Sequence, residues 1–203
     1  QVVRGWPPSL ARVDLQKQFP QLKSLIIAPQ RTIWFEDDWP TEDINIPATV
    51  ERLCLPYQLQ LSHLPLLPPV LTNLTATMCP LLTTAAWPSE NGFPAGLQTA
   101  TFLKVVHFDF VVSLPAHLTA LEVKHSPKFD HETPTTELEK TISALPRSLT
   151  FLIFPFPVLS PSVCLLLPPS LKQLTINSIR KKAPFDLDWL QYLPRQLERI
   201  TIP

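Results

Sequence analysis

The sequence predicts an α/β repeat solenoid, in which short parallel strands stack side by side and short helices or loops return the chain behind them. Three observations carry that prediction. A ten-residue pattern, Leu-Pro-x-x-Leu-x-x-Leu-x-Leu, recurs about eight times. The copies keep their motif although they are unevenly spaced, with prolines at 20, 47, 68, 94, 115, 146, 168 and 194. A repeat of that period cannot bury its own apolar face, and stacking successive copies gives a continuous interior. The apolar share of 45% is enough for such a core, and only 3 glycines accompany the 25 prolines. Disordered proline-rich tracts are usually poor in apolar residues, so these prolines read as punctuation in a folded chain.

Taken in chain order, Trp6 to Leu15 reads as a repeat, yet its Pro7 lies too close to Pro20 for a full coil. Residues 1–18 are therefore either a cap or a divergent first turn. Phe19 to Ile27 is a copy shortened by one residue, and full copies run from Ile46, Leu67, Phe93, Leu114, Leu145, Leu167 and Leu193. In Leu171-x-x-Leu174-x-Ile176 the final alternation puts Leu174 and Ile176 on one side of an extended strand. Pro168 fixes its own φ and pushes Leu167 toward extended geometry, and it precedes the strand, where its missing N–H is not needed. Between strands, Thr136 with Glu139 reads as a capping box ahead of Leu138, Ile142 and Leu145 at helical spacing. Ser160-Pro161 reads as a cap with proline in the first helical turn, leading into Val163 to Leu167. Asp186 reads as the cap of a turn carrying Leu187, Leu190 and Leu193. Trp87 and Trp189 are expected to fill the interior at the rear.

Composition excludes several functions. Seventeen basic and seventeen acidic residues leave no formal net charge, so neither a nucleic-acid backbone nor an anionic membrane is an expected partner. The longest basic run is Arg180-Lys181-Lys182, which reads as a solvated loop. Cys54, Cys79 and Cys164 are odd in number and widely spaced, which fits neither a disulfide framework nor a zinc site and suits a reducing, cytoplasmic setting. A secreted or cell-surface location stays open. Apolar stretches such as Val105–Leu114 are too short to span a membrane. The sequence starts without Met and stops at Ile202-Pro203, inside what reads as a strand, so a fragment of a longer protein is expected.

No GxSxG, P-loop, GxGxxG or HExxH motif is present, and no catalytic residue, cofactor or metal is expected. His125 to Glu132 is the one place where histidines and carboxylates crowd together, and it reads as an exposed loop. Cys54 and Cys164 lack a positioned base and read as buried or sheet-lining thiols. The informative residues are those that alternate with the core on the strands. One column reads Ile26, Cys54, Thr75, Thr101, Glu122, Ile153, Thr175 and Thr201. The preceding one reads Ser24, Arg52, Asn73, Thr99, Ala120, Phe151, Gln173 and Arg199. Threonine suits an exposed strand face on propensity alone. Phe151 and Ile153 side by side are different, because exposed aromatics flanked by polar groups have the make-up of a protein-binding hot spot. Candidate partner-binding residues are accordingly Phe151, Ile153, Glu122, Arg52, Gln173 and Thr175. Trp34 and Trp39 join them from the loop Arg31 to Asn45. There the tryptophans alternate with acids and either dock a basic partner or fold the loop back on the body. Asn73-Leu74-Thr75 is a glycosylation sequon lying on a strand.

With those residues in view, the chain resembles the leucine-rich-repeat superfamily, in its Leu-Pro-x-x-Leu-x-x-Leu-x-Leu variety, over nearly all of Phe19 to Pro203. The resemblance implies a single curved solenoid domain with the parallel sheet on its concave side and short helices and irregular loops on its convex side. It also implies a protein partner held on the concave sheet. The family's Asn or Cys ladder position is matched only by Cys79, so a tight stitched turn there is not expected. The function this implies is a non-catalytic protein–protein interaction scaffold. The alternatives are the substrate-recognition arm of a larger ubiquitin-ligase-type enzyme and a structural subunit of a large assembly.

Overall fold

The computed structural model describes residues 14–26, 46–55, 67–77, 92–103, 108–124, 135–156, 159–177 and 188–202. Eight strands form one open, all-parallel sheet in strictly sequential order: β1 (Ser24–Ile26), β2 (Arg52–Leu55), β3 (Asn73–Thr77), β4 (Thr99–Leu103), β5 (Ala120–Lys124), β6 (Phe151–Phe154), β7 (Gln173–Ile176) and β8 (Arg199–Thr201). Each strand pairs with the next without slippage. Leu25, Leu53, Leu74, Ala100, Leu121, Leu152, Leu174 and Ile200 stand in one row across the sheet. This is the predicted α/β repeat architecture: consecutive parallel strands stacked side by side in sequential order.

The proline-led segment makes the coil in two steps. First, the carbonyl of Pro47 accepts the N–H of Val50 at 3.0 Å, and Pro68, Pro94, Pro115, Pro146, Pro168 and Pro194 do the same for the apolar residue three positions on. Each Pro-x-x-Leu is thus a closed β-turn. The shortened first copy keeps this turn by moving the proline: Leu22 donates to the carbonyl of Phe19, with Pro20 at the next position, where proline's fixed φ is favoured. Second, the residue after the turn leucine offers its carbonyl to two N–H groups of the following coil. Lys23 O accepts from Glu51 N and Arg52 N, Glu51 O from Thr72 N and Asn73 N, and the series runs on through Thr72, Gln98, Thr119, Thr150 and Lys172. The backbone entering each strand from β2 to β8 is therefore satisfied before the sheet ladder starts.

The interior is one apolar cluster of the motif leucines and their equivalents, backed from behind. Phenylalanines fill its middle. Phe102 of β4 meets Phe110 edge-on at 4.7 Å, and Phe154 of β6 lies 5.1 Å from Phe108 and 4.9 Å from Phe156. Such pairs contribute about 0.5–1.5 kcal/mol beyond area burial. Phe108 and Phe110 reach the core from a 3-10 turn, Asp109–Ser113.

Outside the sheet, the described residues include three short α-helices. In α1 (Leu15–Gln18) Asp14 caps the N-terminus by accepting from Lys17 N at 3.0 Å, and Leu15 is buried. The last residue of the Trp6–Leu15 segment is therefore helical and not part of a strand; the rest of that segment lies outside the described residues. The helix α2 (Thr135–Ser143) buries Leu138 and Ile142, as their spacing predicts. The chain is already helical at Thr135, two residues ahead of the start that a Thr136 cap implies, so Thr136 sits inside the helix and the Thr136–Glu139 capping box does not mark its start. The helix α3 (Pro161–Leu166) begins as predicted, with Ser160 accepting from Val163 N at 3.3 Å and proline in the first turn. Among the described residues of the last return is a 3-10 turn, Asp188–Tyr192. Here Trp189 is buried, as expected, while Leu190 is exposed, because the tighter 3-10 rotation turns it away from the core. Asp186, Trp87, Cys79 and the other ladder positions lie outside the described residues.

Candidate functional site

The outward face of the sheet carries the candidate residues, and its order follows from strand geometry. With core residues fixed on one side, the alternating positions must project from the other. Cys54, Thr75, Thr101, Glu122, Ile153 and Thr175 all occupy that side and are half-buried between neighbouring strands. In the preceding row Arg52, Asn73, Gln173 and Arg199 are exposed and Thr99, Ala120 and Phe151 half-buried. Ser24 departs from expectation, being 5% exposed. Phe151 and Ile153 sit as predicted, one residue apart on β6. They are flanked by Ala120 and Glu122 on β5 and by Gln173 and Thr175 on β7. Phe151, Ile153, Glu122, Gln173 and Thr175 are thus brought together on three adjacent strands. Arg52 stands apart on β2. Trp34, Trp39 and the loop His125 to Glu132 lie outside the described residues.

Charge on this face is mostly paired. Lys124 holds Glu122, two residues earlier on the same strand, and Thr101 Oγ1 donates to the other oxygen of that carboxylate at 3.3 Å. Lys23 meets Glu51 at 2.7 Å and Lys172 meets Glu198 at 3.3 Å, each pair bridging adjacent coils. These pairs are well solvated, and exposed pairs of this kind contribute about 0–1 kcal/mol. Between them the same row holds Thr72, Gln98, Thr119 and Thr150. Thr72, Thr119 and Thr150 each donate a hydroxyl to the carbonyl of the preceding coil that already takes two backbone N–H groups.

A second seam of hydroxyls, which the apolar repeat pattern does not announce, runs along the turns. Thr49 Oγ1 lies between the carbonyls of Pro20 and Leu22, at 3.2 and 3.0 Å. Ser148 Oγ lies 2.7 Å from each of Ala116 O and Leu118 O, and Ser170 Oγ bridges Arg147 O and Leu149 O in the same way. All three occupy the residue just before the turn leucine. This seam ties coil to coil on the side where the strand is entered. The sequence signal was a small hydroxyl residue at the fourth position of three copies.

The thiols are poor candidates for chemistry. Cys54 lines the sheet face and Cys164 is buried in α3. Burial pushes the Cys54 thiol up, and that of Cys164 up to about 11, so neither supplies an appreciable thiolate near neutral pH. Among the described residues no group of three or more His, Cys, Asp and Glu side chains is placed to hold a metal ion, and no helix is long and apolar enough to cross a membrane.

Neither a family model nor a curated protein matches the chain. Among solved structures, the chain is similar to the crystal structure of the leucine-rich repeat-containing protein LegL7 from Legionella pneumophila. The match covers 100% of this chain and 90% of that one, at a TM-score of 0.47 and 12% identity.

Proposed function

We propose that the chain is a non-catalytic scaffold that binds a protein partner on the outward face of its sheet. The observation that carries this reading is the cluster at β5–β7. There a half-buried aromatic and a β-branched residue stand next to each other, ringed by exposed or half-buried polar groups on a rigid, regularly paired backbone. Interface energy concentrates at such anchors, and a preformed surface spends little ordering entropy on binding. A cytoplasmic setting belongs to the same reading. A substrate-recognition arm of a ubiquitin-ligase-type enzyme would use the same surface in the same way.

The competing surface is at the rear, where Val112 and Leu165 are 66% and 67% exposed. A photo-crosslinking residue placed at Thr175 on the sheet, and in a second protein at Leu165, separates the two. We expect partner adducts from Thr175 and not from Leu165. Adducts formed only from the rear position overturn the sheet-face assignment.

A further inference from the structure

Among the described residues the sheet face carries more cations than acids, although the chain as a whole is balanced. Every acid on the described strands and in the row that enters them is already engaged: Glu51 by Lys23, Glu122 by Lys124 and Glu198 by Lys172. Two cations are left over, Arg52 on β2 and Arg199 on β8. Both are exposed, both lie in the same row as Phe151, and no acid among the described residues pairs with either. A chain with equal numbers of acidic and basic residues thus turns an unbalanced pair of arginines outward on this side. Both are guanidinium groups, which present a planar fork of donors suited to carboxylates.

The geometry points to a partner segment that carries a carboxylate and an apolar side chain a fixed distance apart. Its apolar group would seat on Phe151 and Ile153 and its carboxylate would meet Arg199. Strands are about 4.8 Å apart, so Arg199 on β8 lies roughly 10 Å from Phe151 on β6, with Gln173 between them. That distance is spanned by about three residues of extended chain, at about 3.3 Å each. On the other side Arg52 is four strands from Phe151, roughly 19 Å, where a second carboxylate of the same partner can reach it. A nucleic acid has the right charge but the wrong pattern. A phosphate backbone is matched by a continuous basic stripe, whereas here Asn73, Thr99, Ala120, Phe151 and Gln173 fill the row between the two arginines. An acidic protein segment with an apolar anchor fits that order.

This inference rests on the sheet-face reading proposed above, and one experiment separates their fates. The chain is immobilised and used to select from a phage-displayed library of random peptides. The wild type should enrich sequences with Asp or Glu about three residues from Leu, Ile, Phe or Met. Arg199→Ala should weaken the selected peptides about tenfold, the loss expected for one charge-assisted hydrogen-bonded contact. Arg199→Glu should turn the enriched acid into Lys or Arg beside the same apolar anchor. Both arginine variants alter an exposed side chain, and far-ultraviolet circular dichroism confirms their fold. Peptides lost on Phe151→Asp but showing no acid preference, or an acid preference unchanged by Arg199→Glu, overturn the carboxylate inference and leave the sheet face standing. Peptides indifferent to Phe151→Asp and to both arginine changes overturn the sheet-face reading itself, as does the absence of any enrichment. A double-stranded DNA oligonucleotide that binds the wild type and is released by Arg199→Glu overturns the protein-segment assignment.

Discussion

Replacing Gly96 with serine should make this protein more stable. Gly96 is the fourth residue of its copy, the position at which Thr49, Ser148 and Ser170 stitch their coil to the one before. Its φ is not in the left-handed region, and an added Cβ would meet Leu71 O at 3.8 Å, an ordinary contact. A serine Oγ extends one bond beyond that Cβ, toward the carbonyl equivalent to Leu118 O, which Ser148 reaches in the coil before its own at 2.7 Å. Two contributions add. Removing glycine's freedom from the unfolded chain is worth about 0.4–1 kcal/mol, and the new hydrogen bond about 0.5–1.5 kcal/mol. The expected gain is about 1–2.5 kcal/mol, and Gly96→Ala isolates the first part. Urea denaturation with an unchanged m-value measures both, and the melting temperature should rise by roughly 2–4 °C per kcal/mol for a chain of this size. If Gly96→Ser is no more stable than Gly96→Ala, the hydroxyl seam contributes nothing to cohesion between coils. If both variants lose stability, the backbone at Gly96 is not as described.

Other substitutions test other parts of the fold. Gly92→Ala should cost about 1–2 kcal/mol despite open space around the position, because φ is +48° there and L-residues are strained in that region; the same denaturation assay reads it. Leu121→Ala, in the fully buried row of β5, should cost about 2–5 kcal/mol, and a loss below 1 kcal/mol would contradict a close-packed interior. Lys172→Ala should change stability by less than about 1 kcal/mol, since its pair with Glu198 is well solvated. The Cys164 thiol gives a pH test. Its folded value is raised to about 11, so its stabilising effect is complete below the ordinary thiol range and is lost as pH climbs from there toward 11. The stability gap between wild type and Cys164→Ala should narrow over that interval, and native Cys164 should react with a thiol reagent more slowly than Cys54.

The front of the molecule was legible in the sequence because its chemistry is periodic. Leucines alternating on one side of an extended segment leave no choice about which residues face out, and the assignments of Phe151, Glu122 and Gln173 followed from counting. The rear was legible only where a local signal stood alone, as at Ser160-Pro161. The Thr136–Glu139 pair does not mark the boundary because Thr135, directly before it, is already helical, and helix ends fray over one or two residues. Leu190 misled because a helical spacing was applied to a 3-10 turn. The hydroxyl seam escaped notice for a different reason. Serine before a turn leucine looks like any solvated polar residue until the neighbouring coil is placed beside it, and that neighbour is some twenty to thirty positions away in sequence.

The proline-led turn has a consequence for how such a protein can change. From turn to strand every full copy has the same length, while the returns differ by as much as ten residues. Because the turn closes on itself and hands one carbonyl to the next coil, a longer or shorter return has no way to shift the register in front. Whole units can be lost, gained or lengthened behind while the spacing of side chains presented to a partner stays the same, so specificity can be rewritten one row at a time.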